Sequence, residues 1–284
     1  MLTYFKLQPD QEILRTILFL IIGSFLSVVV DLPWSIYSTF VVEEKHGFNK
    51  QTPSFFAKDK IKKFVLSQVI SAPVVAMAIY IIKIGGDYFF IYLWLFCSLV
   101  ILFYITIYAD YIAPIFDTYT PLPEGELREK IEALASSLKF PLKKLFVVDG
   151  SKRSSHSNAY LYGFYNNKRI VLFDTLIEDF DKMCGKKEEK NKNDKEEANK
   201  VRRGCNTEEI LAILCHELGH WKLNHTVLNL LISEVQMFLT FSIFKLLYRD
   251  PVVYQSFGFT DQPIFIGLYI IFQFIFSPYN EVII

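Results

Sequence analysis

Apolar residues in this 284-residue chain gather into long runs separated by charged blocks. Five runs, at about 13–30, 64–82, 88–108, 226–247 and 263–276, are candidates for helices of roughly 20 residues, the length that crosses about 30 Å of hydrocarbon. The fifth is short for a span unless it continues through Ser277 or lies at the interface. Between the third and fourth runs the pattern changes. Leu127, Ile131, Leu134 and Leu138 recur at helical spacing and predict an amphipathic helix over 124–138. Residues 145–148 form a short apolar strand, and 158–165 with 169–173 flank Asn166-Asn167, which predicts a hairpin. Thr175 and Glu178 have the spacing of a capping box and predict a helix start, as do Asn206 and Glu209. The helix after Asn206 carries Ile210, Leu211, Ile213, Leu214 and Leu218. It is apolar on most sides, which predicts that it is buried with every polar residue it carries. Residues 186–203 are nearly all Lys, Glu, Asn, Asp or Arg and predict a solvated, flexible loop. Three regions result: 1–116 with three spans and a basic loop, 117–225 as a mixed α and β region, and 226–284 with two further spans. The fold class is mostly α, a multi-span membrane helical bundle with a small α+β element.

Charge and composition refine this picture. Thirty basic residues balance thirty acidic ones, so no global field draws nucleic acid, and the partner the apolar runs require is a lipid bilayer. Asp10, Gln11 and Glu12 precede the first run, and Asp31 and Trp34 follow it where a cleavage site would need small residues. That run therefore reads as a span and not as a signal peptide. If the mixed region and the 34–63 loop share a side, that side gains Lys45, Lys50, Lys58, Lys60, Lys62 and Lys63, and the positive-inside rule makes it cytosolic. Cys97, Cys184, Cys205 and Cys215 follow no disulfide or metal spacing and read as reduced thiols.

The chemistry lies in His216-Glu217-Leu218-Gly219-His220. Two imidazoles four residues apart share one helical face and can grip one zinc ion, while the intervening glutamate can act as general base on its water. The active element is thus zincin-like and faces the cytosol. Gly219 spares side-chain bulk where the helix admits a substrate or a neighbouring backbone. A catalytic zinc needs a third protein ligand. His225 is one residue short of the spacing that would make it one, which favours a helix-end role or a supporting bond to a ligand. Cys215, next to His216, points about 100° away on a helix. His46 reads as a polar loop residue, and Glu281 has too little chain after it to be held rigidly. Glu234, in mid-span, faces either a cavity or a partner helix.

Around this motif the chain resembles the CAAX prenyl protease 1 family. The resemblance rests on 216–223 (HELGHWKL), 151–160 (SKRSSHSNAY), 110–114 (DYIAP) and 277–281 (SPYNE), and it runs over nearly the whole chain. It implies a zinc endopeptidase of the endoplasmic reticulum and inner nuclear membrane, with helices enclosing an intramembrane chamber. It also implies prenylated CAAX-protein substrates, from which the last three residues are removed. His216 and His220 match the family's zinc ligands, Glu217 its base, and Asn158 a residue that binds substrate backbone, in keeping with an edge strand that holds an extended peptide. Asn224 stands where the family usually has glycine. The family's third ligand, a glutamate, is expected beyond Ile284, and further membrane helices before the first run, so the chain as written reads as truncated at both ends. A membrane quality-control zinc protease of general specificity and a catalytically inert fragment are the alternative readings.

Overall fold

The computed structural model describes residues 11–163, 168–178, 180 and 204–273. In chain order these form helices α1 (Glu12–Tyr37), α2 (Pro53–Ile84), α3 (Phe89–Ile107) and the short α4 (Ala113–Phe116). Strand β1 (Tyr119–Pro121), helix α5 (Glu126–Ser137) and strands β2 (Leu142–Val148), β3 (Ala159–Tyr162) and β4 (Lys168–Phe173) follow. Helices α6 (Thr207–Lys222), α7 (His225–Leu247), α8 (Pro251–Gln255) and α9 (Ile264–Ile271) complete the described chain. The expected class, a mostly helical membrane protein with a small mixed element, is the one observed. The chain divides into two compact units, Met1–Pro33 with Lys60–Phe103 and Leu228–Ile284, and Trp34–Asp59 with Tyr104–Val227.

Four helical stretches among the described residues are long and apolar enough to cross a membrane: Glu12–Glu43, Pro53–Ile84, Gly86–Ile107 and His225–Leu247. In the first, the most apolar window is only 6 % buried by the rest of the chain, so its side chains need hydrocarbon to cover them. Of the fifth predicted run, α9 covers Ile264–Ile271, and 274–276 lie outside the described residues. Within the first unit, Phe89 and Leu93 pack with Phe241, Phe244 and Tyr248 in a buried cluster. The Ser98 hydroxyl donates to Glu234 Oε2 at 2.5 Å, so the mid-span carboxylate joins α3 to α7.

The first and second spans are longer than the hydropathy pattern predicts, and the basic loop expected over 34–63 is largely helical. A π-helical turn, Ser38–Glu43, prolongs α1, and α2 begins at Pro53. The Thr52 hydroxyl accepts from Phe55 N–H at 3.2 Å, and a proline at the first helical position has no N–H to leave unpaired. Lys58, Lys60, Lys62 and Lys63 then sit on the opening turns of α2, because lysine is a good helix former despite its charge.

The second unit is built on a four-stranded sheet of order β1-β2-β4-β3. β1 and β2 are antiparallel, β2 and β4 parallel, and β4 and β3 antiparallel, with Ala159 opposite Leu172 and Tyr162 opposite Arg169. The predicted hairpin is present in its two strands, while Asn166-Asn167 lie outside the described residues, as does the 186–203 charged block. Ile170, Val171 and Leu172 of the inner strand β4 are fully buried. The core joins Leu127 and Ile131 of α5, Leu145 and Val147 of β2, and Ile210, Leu214 and Leu218 of α6.

Thr175 does not cap a helix. Its hydroxyl donates to the His156 carbonyl at 2.9 Å, Asp174–Leu176 form a single 3-10 turn, and Ile177 bridges Cys205. The chain re-enters this bridge at Gly204, whose φ of +90° places the position of a Cβ 2.8 Å from Glu178 N. Glycine is the residue that meets both demands there.

Candidate metal centre

Helix α6 is placed by its cap and its buried stripe. Asn206 Oδ1 accepts from Glu209 N–H at 2.8 Å, and Glu209 Oε2 accepts from Asn206 N–H at 2.8 Å, the reciprocal capping box read from the sequence. Ile210, Leu214 and Leu218, four residues apart, face the core and are at most 1 % exposed. The opposite face carries His216 and His220, both exposed, and Glu217, half-buried at its edge. The expectation that the histidines lie inside the protein is therefore corrected. The apolar stripe is one-sided, and Ala212 and Cys215, apolar by composition, also face outward.

The two rings converge. His216 Nε2 and His220 Nε2 are 3.0 Å apart, with the rings near perpendicular at 79°. Two zinc–nitrogen bonds of about 2.0–2.1 Å at a tetrahedral angle would separate the nitrogens by about 3.3 Å. The spacing thus suits two ligands of one ion. Among the described residues no group of three or more His, Cys, Asp or Glu side chains is arranged to hold a metal ion. Glu281 lies outside the described residues. Glu217 makes no hydrogen bond or ion pair among the described residues, which leaves its carboxylate available.

His225 is the side chain that spacing alone could not place. It opens α7, and its Nδ1 lies 2.8 Å from Nδ1 of His220. The turn that brings it back runs through Asn224, whose φ is +57°, with Leu223 N–H bonded to the Gly219 carbonyl and Asn224 N–H to that of Trp221. Asparagine is the L-residue that tolerates this left-handed conformation best. Gly219 has nothing within 4 Å of the position of its missing Cβ, so no neighbouring backbone among the described residues presses on it. His46 sits in the linker after the π-helical turn, its N–H bonded to the Val42 carbonyl at 3.2 Å.

Asn158 stands exposed at the start of β3, the edge strand against which α6 packs. Its Oδ1 accepts from Ala159 N–H at 2.8 Å and its carbonyl from Phe173 N–H at 2.9 Å. No hydrogen bond joins it to either histidine. On the same strand, burial first, then the hydrogen bond shared with Tyr119, pushes the Tyr160 phenol up, which keeps it neutral.

The serine-rich string before Asn158 is a strap. Ser151 N–H and hydroxyl donate to Asp174 at 2.9 and 2.5 Å, Ser155 N–H bonds the Phe48 carbonyl at 3.0 Å, and His156 stacks on the Phe48 ring at 4.4 Å. Arg153 is clamped between Asp59 at 2.8 Å and Asp117 at 3.0 Å, over the ring of Phe55. Asp110 pairs with Arg169 beside a cavity of about 390 Å³. These charge partners were not legible in the sequence, since they join residues far apart in it.

Comparisons with known proteins agree with this fold. A family model described as "CAAX prenyl protease N-terminal, five membrane helices" matches residues 2–118, and one described as "Peptidase family M48" matches 121–283. A human protein called CAAX prenyl protease 1 homolog is 56 % identical over 97 % of this chain and 61 % of its own length. The Saccharomyces cerevisiae CAAX prenyl protease 1 is 42 % identical over 86 % of this chain and 49 % of its own. The crystal structure of S. mikatae Ste24p superposes with a TM-score of 0.77 at 40 % identity, covering 93 % of this chain and 58 % of that one. The chain thus spans about half to three-fifths of the length of these relatives. With the motif helix, the membrane helices and both models in agreement, the chain belongs to peptidase family M48, a family of metallopeptidases.

Proposed function

We propose that this chain forms part of a zinc endopeptidase that removes the last three residues from prenylated CAAX proteins. The observation that carries the reading is the convergence of His216 Nε2 and His220 Nε2 at 3.0 Å on the exposed face of α6. The relatives' names, which specify CAAX prenyl protease, support the substrate class.

His216 and His220 would supply two nitrogens to the metal, with the third ligand expected outside the described residues. When bound, zinc acidifies water and polarises a carbonyl. Glu217, one residue on from His216 and without a competing partner among the described residues, takes the proton from the attacking water and returns it to the leaving amine. Among the described residues no strand pairs with the outer edge of β3, so an extended peptide can bind there as an added strand beyond Asn158. The Asn158 amide helps to hold that peptide. The strap at Ser151–Ser157, fixed by Asp174 and Phe48, keeps the start of β3 in register with β4.

The four apolar helices supply the membrane setting in which a prenyl chain partitions. Lysines on the opening turns of α2 and in the 44–52 linker favour a cytosolic active site, and the family resemblance favours the endoplasmic reticulum and inner nuclear membrane.

The test is cleavage of a farnesylated peptide ending in Cys-a-a-X by the detergent-purified protein, read by mass spectrometry of the released tripeptide. Release that stops with a chelator and returns with zinc is the expected result. Equal cleavage of the unprenylated peptide would favour a protease of general specificity, and cleavage indifferent to chelator would overturn the zinc reading.

A further inference from the structure

We propose that His225 is a positioning residue for metal capture: it accepts the Nδ1–H of His220 and so holds His220 in the tautomer whose Nε2 lone pair faces His216. The inference rests on the metal reading above and adds a residue to it.

A neutral imidazole carries one N–H and one lone pair, and which nitrogen holds the proton is set by the partner of the other. His220 has a close partner at each nitrogen, His216 Nε2 at 3.0 Å from its Nε2 and His225 Nδ1 at 2.8 Å from its Nδ1. For both facing Nε2 atoms to offer lone pairs to one ion, the proton of His220 must sit on Nδ1. That proton needs an acceptor within hydrogen-bond reach, and His225 Nδ1 is there, leaving the His225 proton on Nε2. His225 cannot itself join the ion from this position, because it meets the far side of the His220 ring.

The backbone holds this arrangement. His225 is the first residue of α7, so its Cα belongs to a helix of 23 residues. Asn224, in the left-handed conformation, makes the reversal that lets a residue five positions after His220 reach back to its ring. A ligand imidazole whose outer nitrogen is bonded in this way is more basic and loses less freedom on binding metal.

The test compares His225→Ala, His225→Asn and His225→Gln in the purified protein, with zinc affinity read by competition against a chromophoric chelator. Asparagine places an acceptor oxygen near the position of Nδ1, whereas glutamine places one near that of Nε2. Loss of about 10–100-fold in zinc affinity is expected for His225→Ala and His225→Gln, with His225→Asn within about threefold of the parent protein. With cobalt in place of zinc, the visible bands of His225→Asn should match the parent and those of His225→Gln should not. Unchanged affinity in His225→Ala, or equal affinities in the asparagine and glutamine variants, would overturn the proposal. His216→Ala separates the two readings. If it loses zinc while His225→Ala does not, only the positioning role fails; if it keeps zinc, the metal reading fails as well.

Discussion

In the unit of long helices, side chains meet mainly through apolar surface. Its polar links between elements include Ser98 with Glu234, Ser24 with Gln68, and Glu12 with Lys83 and the Ile264 N–H. In the sheet-bearing unit, the strap, the Arg153 clamp, the capping box and the His216–His220–His225 row each depend on particular atoms at hydrogen-bond distance. Helices in hydrocarbon satisfy their own backbone groups, so most apolar side chains serve equally well on their outer faces. A mixed sheet leaves ends, edges and turns that only specific partners satisfy. Single substitutions should therefore cost far more in the second unit than on the exposed faces of the first.

The comparison is sharpened most by Leu214→Ala. Leu214 is fully buried beneath the metal face, and its truncation should cost about 3 kcal/mol, read by hydrogen exchange of the α6 amides under increasing denaturant. Arg153→Ala removes the guanidinium that bridges Asp59 and Asp117, and a loss of about 2 kcal/mol is expected in the same measurement. Asn224→Val forces a β-branched residue into the left-handed region at a cost of about 1 kcal/mol, while Asn224→Gly should be neutral or slightly stabilising. Val69→Ala, on a side chain 65 % exposed in α2, should change stability by no more than about 0.5 kcal/mol. A cost at Val69 as large as that at Leu214 would break the comparison.

The same contrast explains what the sequence made legible. Hydropathy runs located the four long helices, because length and apolarity are local properties. The Asn206 and Glu209 pair predicted the start of α6 correctly, since a capping box closes within four residues. Thr175 and Glu178 have the same spacing yet form no cap, because the Cys205 carbonyl, 27 residues later in the chain, takes the Glu178 N–H at 3.2 Å while the Thr175 hydroxyl turns to His156. The exposure of the histidine face was misjudged because Ala212, Ile213 and Cys215 blur the stripe formed by Ile210, Leu214 and Leu218. The parallel pairing of β2 with β4 and the clamp on Arg153 depend on residues brought together only by folding. The spacing of His225 argues against a ligand role, but its bond to His220 follows from the φ of Asn224, which no local pattern reveals.

The central claim is that α6 presents two metal ligands and a separate base. Glu217→Gln removes the base and leaves both imidazoles in place. The measurement is zinc content and farnesyl-peptide cleavage on the same purified sample of this variant. Zinc retained at the parent level with cleavage reduced by at least about 1,000-fold is the predicted result. Retained turnover would contradict the assignment of Glu217, and loss of zinc together with activity would make the carboxylate a ligand instead of a base.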